Sequence, residues 1–156
     1  MAAGLTLKSE NLSAFKKAIE AAIVSQVKGQ IPKPTVSYHM SISLNDLSPK
    51  MYREFERIGP FGPGNEVPVF MAAEVVTAVP PRTVGHGGRH LKLVVQSTLN
   101  PSHRFEAIGF GMGERIDEVR AWRSFDIVFT LARNTYRGRS TLNLHLRAIR
   151  AHRTNH

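Results

Sequence analysis

The chain has 156 residues, 42% of them hydrophobic, so it can bury a real core in one domain, or in one domain with a helical extension. It holds no cysteine, which excludes disulfides, thiolate metal sites and a cysteine nucleophile and fits a reducing, cytoplasmic location. No apolar run approaches the ~20 residues that cross a bilayer, and the first residues lack the pattern of a secretory signal. The formal net charge of +9 is unevenly spread: residues 1–78 hold 8 Lys and Arg against 7 Asp and Glu, and residues 79–156 hold 13 against 5. Of those 13 cations 12 are arginine, whose planar forks suit phosphates and base faces. That asymmetry points to a polyanionic partner, with a merely soluble basic surface as the alternative.

In chain order, Ser9 to Lys28 reads as a helix. Leu12, Phe15, Ile19, Ala22 and Ile23 recur at spacings of three and four, and Gly29 with Pro32-Lys33-Pro34 ends it. Val36 to Leu44 alternates loosely and reads as a strand. Ser48 then caps a second helix, with Pro49 at its first position and Met51, Phe55 and Ile58 as one apolar stripe. The segment Gly59-Pro60-Phe61-Gly62-Pro63-Gly64-Asn65 can be neither helix nor strand. No Lys-Ser/Thr follows it, so it is expected to join helix to barrel, with Phe61 and Phe70 as core anchors, rather than to cradle a phosphate.

Five β-type runs follow: Val67–Val79, Leu91–Ser97, Phe105–Phe110, Phe125–Asn134 and Thr141–Arg150. Turn residues separate them at Gly85-His86-Gly87-Gly88, Asn100-Pro101-Ser102 and Arg133 to Gly138, and a short helix is expected over Gly113–Val119. The fold class is therefore mainly β with N-terminal helices (α+β): a small all-β barrel or sandwich preceded by a helical linker segment. Period two turns Leu91, Leu93 and Val95 inward, with Phe125, Ile127, Phe129 and Leu131, and with Leu142, Leu144, Leu146 and Ala148. It turns His90 and Lys92 outward, with Asn143, His145 and Arg147. Such polar and basic rows are what a groove following a phosphate backbone needs.

Loop cations Arg82, Arg89, Arg137 and Arg139 are expected to reach phosphates, while Tyr136 either stacks on a base or packs its loop. Phe105 and Phe110 are expected in the core. Trp122 is expected to pack beneath the loop before the fourth run, stacking being the lesser alternative. His86 and His90 read as a polar hairpin tip rather than a metal pair, because no carboxylate or thiol lies near them in sequence. His152 and His156 are expected to fray without a role.

The string Arg57–Phe70, RIGPFGPGNEVPVF, resembles the signature that precedes the OB domain of the RecJ family. Arg82-Thr83-Val84-Gly85 with His90-Leu91-Lys92-Leu93 resembles that family's hairpin, and Ala107-Ile108-Gly109-Phe110 its next strand. Phe125-Asp126-Ile127 through Asn134, Tyr136, Gly138 and Leu142-Asn143-Leu144 resembles its ending. Ala2-Ala3-Gly4-Leu5-Thr6 is similar to the end of the motif closing the DHH-associated domain. The chain departs from the family at Tyr38-His39-Met40, where an acidic residue is common, at Asn143, where glutamine is usual, and at Ala148, where aspartate is common.

The resemblance implies three segments: residues 1–33, the end of a DHH-associated domain and a connecting helix; 34–151, a RecJ-type OB domain with its barrel core over 66–151; and 152–156, a frayed tail. It implies a single-stranded-DNA-binding module of a 5′-to-3′ single-strand DNA exonuclease of repair and recombination. The alternative is a module binding acidic tails of partners such as single-strand-binding protein. The family's enzymes use Mn²⁺ or Mg²⁺ held by Asp and His. Here Asp46, Asp117 and Asp126 stand isolated, so no cofactor, metal site or catalytic residue is expected and the chain alone should not cut DNA.

Overall fold

A computed structural model describes residues 4–27, 35–136 and 138–153. The chain divides into two compact units, residues 1–35 and 36–156. In the first, α1 (Leu12–Gln26) follows a 3₁₀ turn at Ser9–Asn11, within the expected helix. The expected stop at Gly29 and Pro32–Pro34, like residues 1–3 of the closing motif, lies outside the described residues.

The second unit contains β1 (Met40–Ser41), α2 (Pro49–Glu56), β2 (Phe70–Thr77), β3 (Arg82–Val84), β4 (His90–Ser97), β5 (Arg104–Gly109), α3 (Ile116–Ala121), β6 (Phe125–Tyr136) and β7 (Arg139–Ala151). Antiparallel ladders join β2 to β4, β4 to β5, β2 to β6 and β6 to β7, and β5 runs parallel to β7. Followed round, β2–β4–β5–β7–β6 returns to β2, the strand circuit of an OB-like barrel. Its interior is one core that includes Leu91, Leu93, Val95, Phe125, Ile127, Phe129 and Leu144, all buried as period two requires. β3 extends the sheet beyond β4, pairing Arg82 with Lys92 and Val84 with His90.

Helix α2 begins as expected: Ser48 Oγ accepts the Met51 N–H at 3.1 Å, satisfying a donor that the first turn leaves free. Phe55 is buried, its ring 5.1 Å from Phe61 and 5.9 Å from Phe70, so the two anchors of the Gly/Pro loop meet the helix. Asn65 Nδ2 donates to the Ile58 and Pro60 carbonyls and so pins that loop. Ile58 lies beyond the helix end and is exposed, so the inward stripe is Met51, Tyr52 and Phe55 instead.

Three expectations about the backbone are corrected. The strand read over Val36–Leu44 shrinks to Met40–Ser41, pairing parallel with Phe70 and Met71. Ser43 Oγ accepts the Asn45 N–H and starts a 3₁₀ turn at Leu44–Asp46, which sends both Leu44 and Leu47 into the core. The turn read over Arg133–Gly138 is shorter, because the β6–β7 ladder continues to Tyr136 opposite Arg139. In β7 the pairing steps from Phe129–Leu146 to Val128–Ala148, leaving Arg147 as the extra residue of a bulge. Beyond it Ile149, not Ala148, is buried. A second bulge sets Ala73 and Glu74 against Asp126, with Glu74 at φ 53°, a left-handed conformation that costs a non-glycine residue energy.

Candidate nucleic-acid interface

The outer face of β4, β5 and β7 carries the expected polar rows in a defined arrangement. Cross-strand pairing lines up Arg82, Lys92, Ile108 and His145 in one row, and Val94, Glu106, Asn143 and Ala132 in the next. A shallow groove here is lined by Lys92, Glu106, Ile108, Phe110, Arg133, Asn134, Asn143 and His145. Three of the anticipated residues, Lys92, Asn143 and His145, therefore share one concavity.

Phe110 is the residue that the sequence reading misplaced. It is 56% exposed, and its ring stands edge-on between two imidazoles, 5.3 Å from His90 and 5.4 Å from His145. Phe105, Ala107 and Gly109 turn inward along β5; strict alternation would have sent Phe110 the other way, and that signal was available. Phe105 is buried as expected. His90 is fixed in place, since its Nδ1 accepts the Gly111 N–H at 3.1 Å and its ring fills the space beside Gly85, where a Cβ would come within 2.8 Å.

The electrostatics are less uniform than the charge count implied. Lys92 Nζ lies 2.9 Å from Glu106 Oε1, so the lysine enters the groove already partnered. Arg133 sits 3.7 Å from Glu56, at the outer limit of an ion pair. Just before α3, on it and at the end of β7, Arg115, Arg120 and Arg150 are engaged by Glu118, Asp117 and Asp126. Arg82, Arg89 and Arg147 are exposed and make no ion pair among the described residues, leaving them available to an outside anion. Burial first, and the Arg147 charge second, hold the His145 imidazole below its ordinary 6.5, so at neutral pH it is an uncharged hydrogen-bonding group.

Not every expected residue joins this groove. Arg82 is the cross-strand neighbour of Lys92. Arg89 lies at the hairpin that precedes β4, its carbonyl accepting the Gly113 N–H at 2.9 Å. Arg147 lines a separate depression with Phe61, Gly62, Glu66, Val67 and Val69. The backbones of Tyr136 and Arg139 close the β6–β7 hairpin; their side chains, and Arg137 entirely, lie outside the described residues. Trp122 is half-buried against the core, with the Arg115 guanidinium 5.5 Å from its ring centre.

His152, expected to fray, is held: its N–H donates to the Ser124 carbonyl, and Nδ1 lies 2.6 Å from Asp126 Oδ1. Asp126 also accepts the Glu74 N–H and the Arg150 Nε–H. His156 lies outside the described residues. Burial alone would raise the Asp126 carboxyl, but the hydrogen bonds from His152, the Glu74 backbone and Arg150 outweigh it and hold the group below 3.8. The residues do not fit a Mn²⁺ or Mg²⁺ centre: among the described residues no three His, Asp or Glu side chains gather to hold an ion, and Asp126 is committed to its three partners.

A circular five-strand ladder, a helix between its third and fourth strands and a polar outer face with one exposed aromatic ring describe an OB-like module. A family model, described as the RecJ OB domain, matches residues 38–148. The chain belongs to the RecJ OB-domain family. No curated protein matches it significantly. Among solved structures, RecJ in complex with Mn²⁺ from Thermus thermophilus is similar over 97% of this chain, with TM-score 0.61 and 20% identity. RecJ in complex with Mg²⁺ from the same organism is similar over 96%, with TM-score 0.57 and 19% identity. This RecJ OB chain spans 21% of each of those chains, and at such identity the likeness is one of fold.

Proposed function

We propose that this RecJ OB domain binds single-stranded DNA across the outer face of β4, β5 and β7. Phe110 offers a base its ring, with Tyr136 as a second stacking candidate, and Arg82, Arg89, Arg147 and the β6–β7 hairpin with Arg137 and Arg139 follow the phosphates, while Lys92 stays paired with Glu106. Asn143 and His145 supply neutral hydrogen bonds between them. The observation that carries the reading is the exposed Phe110 ring, braced by two imidazoles inside a groove with cations at its edge. An exposed phenylalanine held in this way serves stacking, and stacking accepts any base.

The domain is then the strand-holding part of a longer RecJ-like 5′-to-3′ single-strand exonuclease of DNA repair and recombination. There it would guide the strand toward a Mn²⁺- or Mg²⁺-dependent core, and it contributes no catalytic residue of its own. An acidic protein tail, such as that of single-strand-binding protein, suits the groove less well. It would set carboxylates beside Glu106 and leave Phe110 without a stacking partner.

Fluorescence anisotropy with labelled oligo-dT tests the reading. Affinity should fall steeply between about 50 and 200 mM salt as phosphate counterions compete. Phe110→Ala should cost about 1–3 kcal/mol with an unchanged salt slope. Salt-insensitive binding, or full affinity in Phe110→Ala, would put the strand elsewhere or exclude DNA as the ligand.

A further inference from the structure

The carboxylate of Glu106 is out of place in a groove meant only for phosphates. It lines the same concavity as Phe110, His145 and Asn143, and its side chain keeps 45% of its exposure despite the ion pair with Lys92. A phosphate drawn close to it would be repelled, whereas a base edge carrying N–H donors would be held. Its direct cross-strand partner is Asn143, whose Oδ1 accepts the Thr141 hydroxyl at 3.2 Å. That bond turns the Asn143 carbonyl toward Thr141 and leaves its amide N–H groups to donate. Side by side, the pair presents an acceptor and a donor in the concavity that the Phe110 ring also lines, with His145 between.

We propose that Glu106 and Asn143 read the edge of the base stacked on Phe110, favouring cytosine over thymine or uracil. This inference rests on the single-stranded-DNA reading above. Cytosine offers an exocyclic amino group beside a ring acceptor, N3, so Glu106 takes the amino hydrogen while Asn143 donates to the ring. Thymine and uracil place their only ring N–H between two carbonyl oxygens, and both oxygens repel a carboxylate that approaches it. The phosphates consequently run along the flanking cations, away from Glu106. The Lys92 ammonium holds the carboxylate at 2.9 Å rather than lying free for the backbone.

Titrating the whole chain with labelled oligo-dC, oligo-dU and oligo-dT of one length, at one salt concentration, separates the possibilities. Cytosine and uracil differ only at the edge in question, and the thymine probe controls for the methyl group. Wild type should bind dC about three- to tenfold more tightly than dU or dT, the range of one partly exposed hydrogen bond. Glu106→Ala should bring the ratio to about one and raise dT affinity, because Lys92 is released to the phosphates. Glu106→Gln, which keeps the side-chain shape, should reduce the ratio without affecting melting temperature. Equal wild-type affinities for dC and dU, or a ratio that survives Glu106→Ala, overturn the proposal while leaving the DNA reading in place. Failure of wild type to bind any of the three oligonucleotides overturns both.

Discussion

At His145 the surroundings suppress charge: burial chiefly, and Arg147 in addition, keep the imidazole neutral to below its ordinary 6.5. An incoming phosphate reverses that balance, since it favours the protonated ring. Oligonucleotide affinity should therefore rise as pH falls through and below 6.5, and His145→Gln should flatten that part of the profile. Parallel anisotropy titrations of the two proteins across that range check it; identical profiles would remove His145 from the interface. The residue scale also shows where reading by residue type fails. Apolar character alone places Phe110 in the core, although alternation from Phe105 turns it outward. Lys92 was legible as an outward cation, but not its partner Glu106, because a diagonal ion pair depends on how β4 and β5 are registered.

Among the elements, the hairpin carrying Arg82, Arg89 and His90 depends on one close approach. Gly113, at the turn leading into α3, donates its N–H to the Arg89 carbonyl, and a Cβ added there would sit 1.9 Å from the Gly88 carbonyl oxygen. Backbone cannot yield as a flexible side-chain tip does, so the two segments must separate. Gly113→Ala should lower the unfolding free energy by about 1–3 kcal/mol, as overpacking does. It should also weaken oligonucleotide binding by loosening Arg82 and Arg89. Urea unfolding and anisotropy on the same variant test this, and unchanged values in both would mean that the contact is not needed. The elements themselves were largely legible: the alternating runs became β2, β4, β5, β6 and β7, and Ser48-Pro49 opened α2. The strand read over Val36–Leu44 failed because Ser43 offers the backbone a local turn and the core takes both Leu44 and Leu47.

Over the whole barrel, Asp126 ties together three elements. It accepts from the Glu74 bulge of β2, from Arg150 of β7 and from His152 beyond β7. Its carboxyl is held below 3.8, so its stabilising contribution is fully present above that value and is lost as pH falls through the lowered pKa. Asp126→Ala should cost about 2–3 kcal/mol at neutral pH, the loss of charge-assisted hydrogen bonds from a nearly buried group. The difference from wild type should shrink in acid below 3.8, as followed by urea unfolding monitored through Trp122. A constant difference down to low pH would mean that packing rather than charge is at stake. His152 looked idle in sequence because its partner lies 26 residues away. Composition and period two suffice for the five barrel strands, the inward rows of β4 and β6 and the Arg-rich half, because burial and alternation are local and additive along the chain. The bulges at Glu74 and Arg147, the shift of the inward row to Ile149 and the meeting of Phe110 with two histidines and Glu106 came only with the tertiary structure. Each depends on which residue of one strand stands opposite which residue of another, and closing the barrel settles that register.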